Sequence, residues 1–260
     1  MVEPAERAVL GHRRKRYIRA ILNKFVKPGV HVVDLGCGRG SLFADIRRVV
    51  KGGKITGVDI DARHLEAAKS GAAENSVRLV QLPMRGLPAA VKQKAVERPD
   101  TVVAHFALHF EKPKEILSSL ADVLPRGGRV IFAVPAGWEG LTVKSEAPSE
   151  LTTAIEKGLR QLGSRFSQRA ANPWANQKAV RKLLSKAGFE VEHFREVKDS
   201  YTLPQAASYF KRPWKSVLAY PHVEEEERVR RLPELFLKLG KRFPQGRIKE
   251  YSHYYVARRV

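Results

Sequence analysis

From residue 31 onward the chain alternates between two spacings of apolar residues. Short β-branched runs, HVVDL (31–35), KITGVD (54–59), VRLVQL (77–82), DTVVAHF (100–106) and RVIFAV (129–134), predict strands. The stretches between them, 41–50, 62–73, 87–97 and 113–124, have helical composition. Ahead of the first strand, Val9, Leu10, Tyr17, Ile18, Ile21, Leu22 and Phe25 recur at near-helical spacing. They predict an amphipathic helix over 6–25, stopped by Pro28-Gly29. Alternating strands and helices imply a parallel sheet covered on both faces by right-handed crossovers. In such α/β sheets, ligands bind at the carboxyl ends of the strands.

After Val134 the rhythm breaks. Residues 135–172 are rich in Gly, Ser, Glu and Lys and predict one helix near 149–163. A helix near 176–187, closed by Gly188, leads into a sixth strand, FEVEHFREV (189–197). An irregular helical region follows over 203–242, and EYSHYYVARR (250–259) alternates as a final strand. The expected organisation is one domain over 1–260. Its core spans 15–135, 173–202 and 248–260, and two insertions, 138–172 and 203–242, flank the sixth strand and are expected to meet above the sheet as a lid.

Composition narrows the chemistry. At 260 residues the chain suffices for one large α/β domain. No apolar run approaches the roughly 20 residues of a membrane-spanning helix, and the N-terminal residues lack a secretory apolar core. A cytoplasmic protein with no membrane insertion is expected. The single Cys excludes an intramolecular disulfide and thiolate-rich metal sites. The eight His are dispersed without paired metal-ligand spacing, so no metal is expected. The net charge of +21 is the extreme value, and it gathers at the ends, with +6 over residues 1–30 and +8 over 228–260. Such a field attracts RNA, an anionic membrane surface or acidic small molecules, although Lys and Arg scattered on helix faces also serve solubility alone.

The most informative stretch is VVDLGCGRG (32–40): a strand carrying Asp34, then Gly36, Gly38 and Gly40 ahead of a helix. Glycines permit a sharp turn and let a ligand lie against bare backbone, while the helix start offers free N–H groups. The dinucleotide pattern G-x-G-x-x-G would place its third glycine at position 41, which is Ser41 here, so pyrophosphate binding is the weaker reading. Asp59 closes the second strand, where a carboxylate accepts hydrogen bonds from both ribose hydroxyls of a nucleoside. The competing reading makes the glycines an ordinary tight turn and Asp59 a cap for the helix after it.

DLGCGRG (34–40), Asp59 in GVDID, DTVVAHFALHF (100–110) and VLPRGGRVIFAV (123–134) together resemble the class I S-adenosylmethionine-dependent methyltransferases, in the group with the small-molecule-type methyltransferase domain. The resemblance covers about 15–135 strongly and 189–260 more loosely. It implies a Rossmann-like α/β fold whose seven-stranded sheet is mostly parallel, with the last strand antiparallel and helices on both faces. It also implies S-adenosyl-L-methionine as cofactor, S-adenosyl-L-homocysteine as product, and cofactor contacts from Asp34, Leu35, Gly36, Gly38, Gly40, Asp59, Ile60, Met84, Arg85 and His105. Within that set Asp34 would lie under the methionine end, Asp59 would hold the ribose and Ile60 would pack on the adenine. Where the family commonly has an acidic residue after the third strand, this chain has Leu82-Pro83-Met84-Arg85, so the Met84 backbone and side chain are the expected replacement.

After the fourth strand, His105-Phe106-Ala107-Leu108 stands where base- and glutamine-N methyltransferases carry an Asn/Asp-Pro-Pro-Tyr/Phe loop, and it matches at no position. His105 and His109 are the candidate general bases, with packing or loop-anchoring roles as the alternative. Trp138, Phe166, Trp174, Tyr201, Tyr209, Phe210 and Trp214 either wall an acceptor site for an apolar or cationic molecule or form the core of the inserted region. Lys211-Arg212 with Lys215 either meets a carboxylate or phosphate or is a solvated surface, and Glu224–Glu227 ahead of Arg228, Arg230 and Arg231 follows helix-dipole order. The expected acceptor is a small molecule, anionic or aromatic. The alternatives are an RNA or protein acceptor, suggested by the charge, and a non-catalytic cofactor-binding or scaffold protein.

Overall fold

The computed structural model describes residues 12–138, 149–167, 172–213, 216, 220 and 222–260. The start of the predicted first helix (6–11), Trp214, Lys215 and residues 139–148 of the first insertion lie outside them. The chain divides into two compact units. One comprises Ala8–Pro135, Asn176–Glu196 and His253–Val260, and the other gathers Ala136–Ala175 and Val197–Ser252.

The elements run α1 (His12–Phe25), β1 (Val32–Leu35), α2 (Phe43–Val50), β2 (Ile55–Asp59), α3 (Ala62–Glu74), β3 (Val77–Gln81), α4 (Leu87–Lys92), β4 (Thr101–His105), α5 (Pro113–Val123), β5 (Arg129–Trp138), α6 (Glu150–Leu162), α7 (Ser164–Ser167), α8 (Gln177–Lys186), β6 (Phe189–Thr202), α9 (Leu203–Phe210), α10 (Glu225–Arg242) and β7 (Arg247–Arg259). Single-turn 3₁₀ helices stand at Met84–Gly86 and Leu108–Phe110.

Seven strands form one sheet in the order β3-β2-β1-β4-β5-β7-β6. Parallel pairing joins β1 to β2 and β4, β2 to β3, and β4 to β5. The last strand runs the other way, as expected. At the start of β5 the Gly127 N–H donates to the Arg259 carbonyl (2.8 Å) and the Arg259 N–H to that of Gly128 (2.8 Å), while the Val260 N–H reaches the Gly188 carbonyl before β6 (3.0 Å). Val32, Val33 and Leu35, Val102 to Ala104, and Val130 to Val134 are buried at every position, as a sheet covered on both faces requires. Ile18, Ile21 and Leu22 make the buried stripe of α1.

Several predicted boundaries differ from the structure. The helix expected over 87–97 ends at Lys92, and Lys94 takes a left-handed φ of 59° just beyond it. β5 and β6 run on to Trp138 and Thr202, past Pro135-Ala136-Gly137 and Lys198-Asp199-Ser200, which read locally as breaks.

The second unit has its own core. Trp138 packs against Tyr201 (centroids 4.9 Å apart), Tyr209 (4.8 Å) and Phe210 (5.1 Å). Phe210 stacks on Phe236 of α10. The buried Glu250 carboxylate accepts from the Tyr201 and Tyr209 hydroxyls, each at 2.8 Å. Phe166 and Trp174 are buried as well, so the six described rings among the seven singled out from the sequence are core. Glu225, Glu226 and Glu227 occupy the first turn of α10, with Arg228 and Arg231 paired back to Glu225 and Glu227, the arrangement the helix dipole favours. No helix among the described residues is long and apolar enough to cross a membrane.

Candidate active site

At the end of β1 the chain bends through Gly36, Gly38 and Gly40, with φ of 74°, 54° and 76°, a region open to glycine at little cost. The three glycines meet different surroundings. A Cβ on Gly36 would stand 2.4 Å from the Ala107 Cβ and 3.1 Å from the Met84 Cε, so this glycine lets the turn, the segment after β3 and the segment after β4 converge. A Cβ on Gly40 would stand 2.4 Å from the fully buried Phe43 ring. At Gly38 a Cβ would meet nothing within 4 Å. Gly38 is thus the bare backbone position of the three, the one where a ligand would rest against the chain.

The turn is fastened to β2. Gly36 and Cys37 donate to the Val58 carbonyl at 2.7 and 2.9 Å. The Gly38 N–H donates to Asp59 Oδ2 at 2.8 Å, and the Asp61 N–H to Asp59 Oδ1 at 3.0 Å. His64 Nδ1 lies 3.5 Å from the same Oδ1. Asp59 is therefore no helix cap. Asp61 caps α3, accepting from the Arg63 N–H at 2.9 Å. Two backbone donors fix the Asp59 carboxylate and leave lone pairs over for a ligand's hydroxyls.

Asp34, one residue from the end of β1, is 2% exposed. Burial, reinforced by the Asp59 carboxylate, pushes its carboxyl up to about 7. Leu35 is wholly buried, so only its backbone is in a position to meet a ligand, whereas the Ile60 side chain beside Asp59 is 66% exposed. Met84 is half-buried and reaches the glycine turn.

A second group forms at the carboxyl end of β4. His105 closes the strand and its Nε2 lies 3.4 Å from the Tyr254 hydroxyl of β7. Phe106 follows with φ of 56°, a left-handed conformation that costs a bulky residue about 1–3 kcal/mol. The neighbours hold it: its N–H donates to the Ala133 carbonyl (2.9 Å), its ring meets His105 edge-on (4.6 Å), and the largely buried Arg14 guanidinium lies 4.9 Å from its centroid. Tyr17 of α1 packs edge-on against Tyr254 (4.8 Å).

Three expected site residues have structural partners of their own. The Arg85 guanidinium is taken by Glu111 (2.9 Å) and Glu115 (2.5 Å), which ties the segment after β3 to α5. Gly40 has its reason in Phe43, and the half-buried His109 lies 4.1 Å from the exposed Phe110. Conversely Ala107, Arg14, Tyr17 and Tyr254 were not among the residues expected at the site, for Tyr254 comes to His105 from 149 positions away. Among the described residues no three His, Cys, Asp or Glu gather as a metal-binding set.

Residues 10–194 match the family model of a methyltransferase domain. The chain belongs to the class I methyltransferases. The aklanonic acid methyltransferase of Streptomyces sp. (strain C5) is 32% identical over 134 residues, 50% of this chain and 59% of the relative. The ribosomal protein L11 methyltransferase of Burkholderia mallei is 32% identical over 123 residues, 47% of this chain and 37% of the relative. The chain thus spans less than two thirds of either curated relative. The crystal structure of geranyl diphosphate C-methyltransferase from Streptomyces coelicolor A3(2) shares the fold at a TM-score of 0.54 and 16% identity, covering 99% of this chain and 85% of that one. The Rossmann-like sheet and the family inferred from DLGCGRG and Asp59 both hold.

Proposed function

We propose that this methyltransferase moves a methyl group from S-adenosylmethionine to a small-molecule acceptor and releases S-adenosylhomocysteine. One observation carries the reading: the turn after β1 presents an open α-carbon at Gly38 and hands that residue's N–H to the carboxylate closing β2. The cofactor fits these residues. Asp59 has lone pairs left for the two ribose hydroxyls, Ile60 has an exposed apolar side chain for the adenine, and the buried Asp34 carboxyl suits the cationic methionine end.

The bound cofactor supplies a methyl group on a sulfonium, an electrophile that needs alignment more than activation. The chain's own part is to seat, orient and deprotonate. Gly36 brings Met84 and Ala107 against the turn, so three strand ends close on one spot. His105, at the end of β4 with its Nε2 3.4 Å from the Tyr254 hydroxyl, is the candidate general base for an acceptor hydroxyl. His109 is the reserve candidate for that role. The small-molecule acceptor follows the aklanonic acid and geranyl diphosphate relatives and the missing amine-gripping loop after β4. An RNA or protein acceptor is the second reading, favoured by the +21 charge and the ribosomal protein methyltransferase relative.

Isothermal titration with S-adenosylmethionine and its demethylated product tests the site. Saturable binding is expected, and Asp59→Ala is expected to weaken it by about 1–3 kcal/mol through lost charged hydrogen bonds. No binding by the unaltered chain would leave a scaffold protein, and unchanged affinity in the variant would remove Asp59 from the ribose. Methyl transfer from labelled cofactor to polyketide-like acids, but not to ribosomal RNA or protein, is the outcome that selects the acceptor class.

A further inference from the structure

The cation excess finds no use in the chemistry above. α1 carries six Lys or Arg and no acid over residues 12–25. Its apolar stripe is spent on the core, yet two aromatic rings, Tyr17 and Phe25, stay half-buried on the side facing His193 of β6. The Tyr17 hydroxyl meets His193 Nε2 at 2.6 Å, and the Phe25 ring lies 5.6 Å from that imidazole. The exposed Lys24 lies over Phe25 (5.2 Å) and the exposed Arg195 over Tyr17 (5.6 Å). Burial, and after it the charges of these two cations, lowers the His193 pKa. The result is a strip of three half-buried rings edged by exposed cations, all within one unit of the chain.

We infer that this α1–β6 strip, Tyr17, Lys24, Phe25, His193 and Arg195, is a docking surface for single-stranded RNA. Single strands are held by cations that follow the phosphates and by rings on which bases stack. Half-buried rings capped by long cationic side chains supply both, because a base can replace the cation over the ring while the cation turns to the neighbouring phosphate. An anionic membrane is the weaker partner. An interfacial helix must lay an exposed apolar face into lipid, and Ile18, Ile21 and Leu22 of α1 are at most 3% exposed. The inference goes beyond the small-molecule reading and assigns RNA no role as acceptor.

The test is fluorescence anisotropy with a labelled single-stranded RNA of about 20 nucleotides, titrated with the full chain from 50 to 300 mM KCl. Three proteins are compared: the unaltered chain, Lys24→Ala with Arg195→Ala, and Lys182→Ala with Lys186→Ala on α8, which removes equal charge elsewhere. The strip variant is expected to bind about tenfold more weakly at low salt and to lower the salt slope by about 1.4, while the α8 variant stays within about twofold. Phe25→Leu, which keeps an apolar side chain, is expected to cost about five- to hundredfold through lost stacking. Retained S-adenosylmethionine binding shows that the variants fold, so failure here is separate from failure of the enzymatic reading. The inference is overturned if the α8 variant loses as much as the strip variant, if duplex RNA binds as tightly as single strands, or if only vesicles containing phosphatidylserine are bound.

Discussion

Asp34 shows how one buried group sets pH behaviour. Burial, reinforced by the Asp59 carboxylate, opposes ionisation and pushes the Asp34 carboxyl up to about 7, well above the ordinary 3.8. The folded chain therefore holds this proton more tightly than the unfolded chain. The stabilisation is fully present below about pH 4 and is lost as pH rises through 7. Without cofactor, the urea midpoint is expected to fall between pH 5 and 8 by the equivalent of up to about 3 kcal/mol from this residue, with Asp34→Asn lacking that component. Parallel pH profiles for the two proteins would show that Asp34 is ionised throughout. Asp34 and Asp59 were legible in the sequence because each closes a β-branched run. Their division of labour was not, since the pairing of Gly38 with Asp59 spans 21 positions and only the folded turn brings it about.

Among elements, the turn between β1 and α2 separates folding from binding within five residues. Gly40 faces the fully buried Phe43 ring, so Gly40→Ala is expected to destabilise the chain by about 1–3 kcal/mol, read as a lower urea midpoint. Gly38 faces open space at a φ of 54°, so Gly38→Asn, a residue that tolerates the left-handed region, is expected to keep most of the stability and to weaken cofactor binding by titration calorimetry. Equal destabilisation in both would mean that the turn is purely architectural. The five predicted parallel strands fall within one residue of the observed ones at each start because short β-branched runs bounded by turn residues carry a strand signature. The extensions of β5 and β6 were hidden because Pro135-Ala136-Gly137 and Lys198-Asp199-Ser200 are strand-poor, and pairing within the sheet overrides that local preference. The histidine–tyrosine contact at the end of β4 was illegible for a different reason: Tyr254 sits in an alternating strand where any aromatic reads as core.

For the molecule as a whole, a net charge of +21 repels itself in the compact state. Raising KCl from 50 to 500 mM is expected to raise the melting temperature, since screening relieves that repulsion faster than it weakens exposed pairs such as Lys54–Glu97. A melting temperature that falls with salt would mean that ion pairs outweigh the excess.

The strand order has a further consequence for how this protein is made. β6 joins the sheet only through β7, which is threaded between β5 and β6 although it is the later of the two in the chain. While the ribosome has produced β1 to β6 but not yet residues 247–259, five strands can assemble and the sixth has no seat. During that interval the nascent chain exposes two unsatisfied strand edges, that of β5 and that of β6, to any other extended polypeptide nearby. Premature termination before Arg247 would make the exposure permanent, yielding a product that retains β1 to β5 but is prone to aggregate.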